Sequence, residues 1–201
     1  MSEDVSSAGG VDQNEVMRLF EETGALLRGH FVLTSGLHSP NYLQCARVLQ
    51  HPRLAERLGA AIADRFRDRR VSCVVAPAIG GIVIGYEVAR ALGATSIFTE
   101  RESNGEMTLR RGFTLSDDER ILVVEDVITT GGSTRETIDA AIAAGGKVIG
   151  AASIIDRSGG EADVGVPREA LATLQVETYD PAKCPLCASG SLAVKPGSRK
   201  R

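Results

Sequence analysis

Ile121-Leu-Val-Val-Glu-Asp-Val-Ile-Thr-Thr-Gly-Gly-Ser-Thr134 is the stretch on which the fold turns. Ile121 to Val124 form an apolar run without alternation, the pattern of a strand covered on both faces in a parallel sheet. Glu125 and Asp126 follow at the end of that strand, and Thr129 to Thr134 make a small turn rich in hydroxyls and glycine. Glycine tolerates backbone angles closed to other residues, and the helix that opens here begins with N–H groups that have no partner within it. Such a turn suits an anion. The two carboxylates only accept hydrogen bonds, so they suit vicinal hydroxyls or a hydrated metal rather than a phosphate. Strand, acid pair and turn together read as a ribose-phosphate cradle. The plainer alternative is a strand-turn-helix connection with Ser133 as its cap. Against it, two adjacent carboxylates at the end of a buried strand are costly without a partner.

Working outward, the chain has no Gly-Lys-Ser/Thr ending of a P-loop, and the glycine pattern of a dinucleotide fingerprint is missing from this turn. From Val71 the pattern alternates. Strands are expected over 71–76, 95–99, 121–125 and 147–155, and helices over 82–92 and 134–144, with a glycine- and charge-containing excursion running to Phe113. This predicts a parallel sheet with helices on both faces, whose ligands bind beyond the carboxyl ends of the strands. The cradle, the turn from Pro77 to Gly81 and the pair Asp156-Arg157 all fall at that end. Before the core, an amphipathic helix is expected from Asn14 to Arg28, then a hairpin-like pair of strands within 30–49, then a helix carrying Leu54, Leu58, Ala61, Ile62 and Phe66. The organisation is therefore a disordered start over 1–11 and a single domain over 12–190. Its core spans about 51–166, and a small hood is built from about 12–50 and 167–190. A basic tail occupies 191–201.

Composition narrows the function classes. The 201 residues are 43% hydrophobic and 24% charged, an ordinary globular balance, and the net charge of −3 argues against a nucleic-acid binder. Lys195, Arg199, Lys200 and Arg201 sit beside Pro196 and Gly197 and read as a solvated tail. No apolar run reaches the length of a membrane span, and Met-Ser-Glu-Asp lacks the features of a signal peptide, so a cytoplasmic protein without membrane contact is expected. Four cysteines are too few for a disulfide scaffold, and Cys45 and Cys73 lie in apolar segments. Cys184-Pro-Leu-Cys187 has the spacing of half a zinc knuckle, with no second pair following. A dimer could supply the other half, Cys45 could approach in space, or the segment is a plain turn. His30, His38 and His51 read as structural or exposed.

The motif at 121–134 resembles the phosphoribosyl-pyrophosphate (PRPP) motif of the type I phosphoribosyltransferases, and the fold this implies is that family's Rossmann-like sheet. Within the family the resemblance is to the orotate phosphoribosyltransferases and covers nearly the whole chain. Phe31-Val-Leu-Thr-Ser-Gly-Leu-His-Ser-Pro-Asn-Tyr42 resembles their N-terminal substrate segment, which implies Tyr42 and Leu43 against orotate. Pro77-Ala-Ile-Gly-Gly-Ile82 resembles the loop that binds pyrophosphate through backbone N–H groups, implying Ile79 and Gly80 there. Asp156-Arg157 resembles the pair whose arginine meets the orotate carboxylate, a role its planar fork suits; the alternative for Arg157 is an ion pair with Asp156 or Glu161. PRPP contacts are further implied for Arg101, Glu125, Asp126, Val127, Ile128, Thr129, Thr130, Gly131, Gly132 and Ser133. Thr129 also falls near orotate.

The implied reaction moves ribose 5-phosphate from PRPP to orotate, giving orotidine 5′-monophosphate and pyrophosphate in de novo pyrimidine biosynthesis. Glu125, Asp126 and Arg101 are its expected catalytic residues, and a homodimer its expected assembly. Mg²⁺ is expected to ride on PRPP without direct protein ligands, with Asp126 reaching it through water. The chain departs from the family in its lysines. Glu102 follows Arg101 where a lysine is usual, Thr34 precedes Ser35-Gly36, and Gly80 stands in the pyrophosphate loop. Arg101, Arg110 and Arg111 are the residues that could compensate, Arg110 and Arg111 being equally readable as exposed strand residues. Two rivals follow: a transferase for a purine or another base, and a non-catalytic PRPP-binding regulator.

Overall fold

A computed structural model describes residues 10–33 and 35–196. The expectations for residues 1–9, for Thr34 and for the tail from Gly197 lie outside the described residues.

The chain enters through α1 (Gln13–Glu22), where Asp12 caps the first turn by accepting the Glu15 N–H at 2.8 Å. This helix is shorter than expected. Gly24 adopts a φ of +63° and turns the chain, so that Leu26 to Arg28 enter strand β1 (Leu26–Val32) instead. β1 pairs antiparallel with β2 (His38–Leu43), with an irregularity between Arg28 and Phe31. The short α2 (Ala46–Leu49) and α3 (Pro52–Asp64) follow, the latter opened by a proline in its first turn.

The core then winds as β3 (Cys73–Pro77), α4 (Gly81–Leu92), β4 (Thr95–Arg101), β5 (Met107–Leu109), β6 (Arg120–Ile128), α5 (Gly132–Ala143), β7 (Lys147–Asp156) and β8 (Arg168–Thr173). The six strands form one sheet in the order β5-β4-β3-β6-β7-β8, parallel except where β5 returns against β4. β6 explains the unalternating run that opened the sequence. Leu122 and Val124 pack into the cluster formed with α1, α3 and α4, while Ile121 and Val123 pack into the one under α5. All four are fully buried, so both faces of the strand are core.

Three boundaries differ from the sequence reading. β6 runs on through Glu125, Asp126 and Val127, but its pairing with β3 ends at Val123 while that with β7 continues to Ile128. The acid pair therefore sits where one neighbour has stopped and the sheet opens. Residues 168–173, assigned to the hood, are instead the edge strand β8, with Leu171 and Ala172 buried against the core. Finally, the tail does not begin at 191. Val194 donates to the His30 carbonyl and accepts from the Val32 N–H, both at 2.8 Å, which binds that segment to the hood hairpin. The remaining C-terminal piece folds as a turn at Pro181–Lys183 and the short α6 (Pro185–Ala188). Among the described residues no helix is long and apolar enough to cross a membrane.

Candidate functional site

At the carboxyl edge of the sheet, beneath the β1–β2 hairpin, lies a cleft of about 540 Å³. Glu125, Asp126 and Val127 come to it from β6, the turn from Thr129 to Thr134 forms its floor, and Arg101 stands at the end of β4. Tyr42 and Leu43 descend from the hairpin, and Arg157 projects from the end of β7. Residues from four separate parts of the sequence thus meet in one space.

The floor is shaped by its backbone. Gly131 has a φ of +82°, and a side chain there would meet Val164 at 2.9 Å, so glycine is required on both counts. No side chain caps α5, which excludes Ser133 as a cap and leaves the first N–H groups of the helix directed at the cleft.

The acid pair is poorly satisfied by protein. Glu125 accepts one hydrogen bond from the Thr134 hydroxyl at 2.7 Å, and Asp126 accepts one from the Val127 N–H at 3.0 Å. Burial, with the charge of Asp126 alongside, raises Glu125 to about 7 against the partial relief of Thr134. Burial raises Asp126 as well. Two neighbouring, partly buried carboxylates with few donors are an arrangement that a cation or hydroxyl donors would stabilise.

On the opposite wall, Arg157 forms no ion pair among the described residues, and burial lowers its pKa. The alternative of a pair with Asp156 or Glu161 is therefore not realised. Asp156 is taken instead by Arg168 and by the backbone N–H and hydroxyl of Ser158, at 2.8 and 2.6 Å. Burial likewise raises the Tyr42 phenol.

Not every expected residue reaches the cleft. Ile128 is buried in the core, its carbonyl accepting the Arg157 N–H at 2.8 Å. Ile79 is 85% exposed on the loop before α4. Gly80 adjoins the site: a side chain there would begin 2.8 Å from an Asp126 oxygen, so a lysine would require the Asp126 carboxylate to shift. Arg110 and Arg111 lie outside the cleft and are engaged, Arg110 with Glu102 at 3.2 Å and Arg111 with both oxygens of Glu100 at 2.8 Å. Arg101 does line the cleft, but donates to Glu136 and to the Gly105 carbonyl. Glu136, together with Gln44 and Cys45, was missed by sequence reading. Glu136 is one of several polar residues on α5, and only the folded chain brings it to Arg101, 35 positions away.

Comparison with known proteins agrees with this geometry. Residues 44–169 match the phosphoribosyl transferase domain. The chain is 55% identical over 190 residues to an orotate phosphoribosyltransferase of Desulforamulus reducens, covering 94% of this chain and 99% of that one. It is 56% identical over 188 residues to the orotate phosphoribosyltransferase of Pelotomaculum thermopropionicum, covering 94% and 98%. Among solved structures, orotate phosphoribosyltransferase from Aeropyrum pernix matches with a TM-score of 0.68 at 28% identity, covering 80% of this chain and 94% of that one.

Proposed function

This chain belongs to the phosphoribosyltransferases, and within them to the orotate phosphoribosyltransferase family, and from that premise we propose that it transfers ribose 5-phosphate from PRPP to orotate. The products are orotidine 5′-monophosphate and pyrophosphate. The observation that carries the reading is the buried, under-bonded pair Glu125–Asp126, set between the open N-terminus of α5 and the unpaired guanidinium of Arg157.

In this reading the turn from Thr129 to Ser133 holds the 5′-phosphate with its N–H groups and hydroxyls. Glu125 and Asp126 accept hydrogen bonds from the ribose hydroxyls, and their charge stabilises the cationic sugar as the bond from its anomeric carbon to pyrophosphate breaks. A ring nitrogen of orotate forms the new bond to that carbon from the side of Tyr42 and Leu43 as its N–H proton passes to the departing pyrophosphate or solvent, and Arg157 takes the orotate carboxylate in its fork. Arg101 reaches the pyrophosphate by leaving Glu136, and the backbone at Ile79 and Gly80 flanks it. The donor set fits a hard cation, since the two carboxylates offer only oxygen. Asp126 would hold Mg²⁺ through water when the ion is bound with PRPP, and the ion would supply neutralisation of charge on the leaving pyrophosphate. The compartment of this reading is the cytoplasm and its assembly a homodimer, supported by the exposed apolar stripe of Ile79, Val83 and Tyr86 before and along α4.

The engagement of Arg110 and Arg111 by glutamates favours one second reading, a PRPP-binding protein without turnover. An absorbance assay with PRPP and Mg²⁺ separates the readings, run with orotate and in parallel with uracil, adenine, guanine, hypoxanthine and xanthine. Orotate-specific turnover is expected. Turnover on another base moves the substrate, and PRPP binding without turnover on any base overturns the catalytic reading.

A further inference from the structure

The half-knuckle at Cys184 and Cys187 is not completed by Cys45, which lines the cleft. Its partners are two of the three histidines of the protein. The ligand atoms of His30, His38, Cys184 and Cys187 all lie within 4.8 Å of one another. Cys184 Sγ is 3.5 Å from His30 Nε2, and Cys187 Sγ is 3.8 Å from His30 Nε2 and 3.3 Å from His38 Nδ1. A tetrahedral zinc with ordinary bond lengths sets its sulfur and nitrogen ligands about 3.6 Å apart, so these separations bracket the expected edge. The two histidine nitrogens, at 2.8 Å, are closer than the edge of about 3.3 Å that such a centre requires, and would part by roughly half an ångström.

The surroundings fit as well. His30 Nδ1 lies 2.9 Å from the Ser191 carbonyl. Donation from Nδ1 to that oxygen fixes the tautomer whose lone pair, on Nε2, faces the cluster, as the supporting hydrogen bond of a metal-bound histidine commonly does. His30, His38 and Cys184 are buried, at 5%, 9% and 3% exposure, and only Cys187 meets solvent. No carboxylate belongs to the group, and four side chains close the coordination sphere, which is the composition of a structural rather than a catalytic zinc site.

We propose that His30, His38, Cys184 and Cys187 bind one Zn²⁺ per chain and that this ion fastens the C-terminal segment to the hood hairpin. The two cysteines bind as thiolates, releasing two protons to solvent, and the histidines bind as neutral imidazoles. The ion joins β1, the first residue of β2 and the start of α6. It therefore fixes the strand that carries Tyr42 and Leu43 over the cleft, where the Tyr179–His38 backbone pair, at 2.8 and 2.9 Å, already ties the same two segments. The effect on orotate rests on the function proposed above; the metal content does not, so the two can fail separately.

The test uses the full chain, purified without chelator or affinity metal. One zinc per chain is expected by elemental analysis, and Co²⁺ replacing it should give the strong visible bands of a tetrahedral site together with sulfur-to-cobalt charge transfer. Cys187→Ser, at the exposed ligand, should lower retained zinc by at least tenfold and remove the charge-transfer intensity of one thiolate. Stripping zinc with a chelator that spares Mg²⁺ should lower Tm by about 10 °C and raise the KM for orotate more than that for PRPP. Protein that carries no zinc and yields only octahedral Co²⁺ spectra overturns the proposal. So does a Cys184–Cys187 disulfide found in the freshly purified chain.

Discussion

Two neighbouring strands carry partly or fully buried carboxylates toward their carboxyl ends, and the chain treats them in opposite ways. At the end of β7, Asp156 is 1% exposed and accepts from Arg168, from the Ser158 N–H and from the Ser158 hydroxyl. These hydrogen bonds and the adjacent guanidinium outweigh burial and lower its pKa. On β6, among the described residues, Glu125 has the Thr134 hydroxyl as donor and Asp126 only backbone N–H groups, and burial raises both. The first site is complete within the protein and acts on stability. The second is left under-bonded by the described residues, and in the proposed function a ligand with hydroxyls and a cation would complete it. A buried charge without partners is tolerated where something else is meant to bind.

That contrast is open to test, beginning with the largest effect. Asp126→Asn keeps the shape of the cleft but removes charge that the transition state needs, so kcat should fall by roughly 10³-fold with Tm unchanged or higher. A fall in Tm without a loss of transfer would mean that Asp126 is structural like Asp156. Asp156→Ala should do the reverse. Leaving the largely buried Arg168 with only the Ala162 carbonyl as partner, and the Ser158 N–H and hydroxyl without their acceptor, should cost about 3 kcal/mol, read as a fall in urea midpoint, with KM values of the folded enzyme nearly unchanged. Arg157→Ala should raise the KM for orotate by roughly 30-fold, the worth of a charge-assisted hydrogen bond, and that for PRPP much less. Equal effects on both would assign Arg157 to another partner.

The smallest effect lies in pH. Glu125 is about 7 when folded against 4.5 when unfolded, so the native state holds the extra proton between those values. Its contribution therefore weakens stability progressively as pH rises from about 4.5 to 7, and the full penalty remains above 7. Glu125→Gln should accordingly raise Tm by a few degrees at pH 8 and leave it unchanged at pH 4. In the parent enzyme, kcat/KM for PRPP should drop up to tenfold per pH unit below 7, a limb that Glu125→Gln should abolish.

The same contrast explains what could be read before folding. The proposed cradle is contiguous: apolar run, acid pair and glycine turn follow one another within 121–134, so local chemistry was enough to suggest it. Asp156 and Arg168 gave no such signal, because their pairing depends on how β8 returns beside β7. β8 itself, Arg-Glu-Ala-Leu-Ala-Thr, has no long apolar run to announce a strand, since an edge position buries only part of it. The histidine–cysteine group was half visible. Its cysteines are three residues apart, but the histidines lie some 150 positions earlier, on a hairpin whose polar sequence has no periodicity to suggest a shared face. The missing lysines were legible in the sequence, whereas their physical setting was not: at Gly80 the Asp126 carboxylate occupies the space a side chain would need.

Side-chain ¹³C NMR titration of the carboxyl carbons, with and without Mg²⁺ and PRPP, tests the difference between the two sites most directly. In the free protein Glu125 should titrate near 7 and Asp156 below the ordinary aspartate range. Adding Mg²⁺ and PRPP should carry Glu125 and Asp126 down by more than a unit and leave Asp156 where it was. Glu125 and Asp126 titrating as ordinary carboxylates, or not responding to the ligand, would contradict the claim that this pair is held unsatisfied for its substrate.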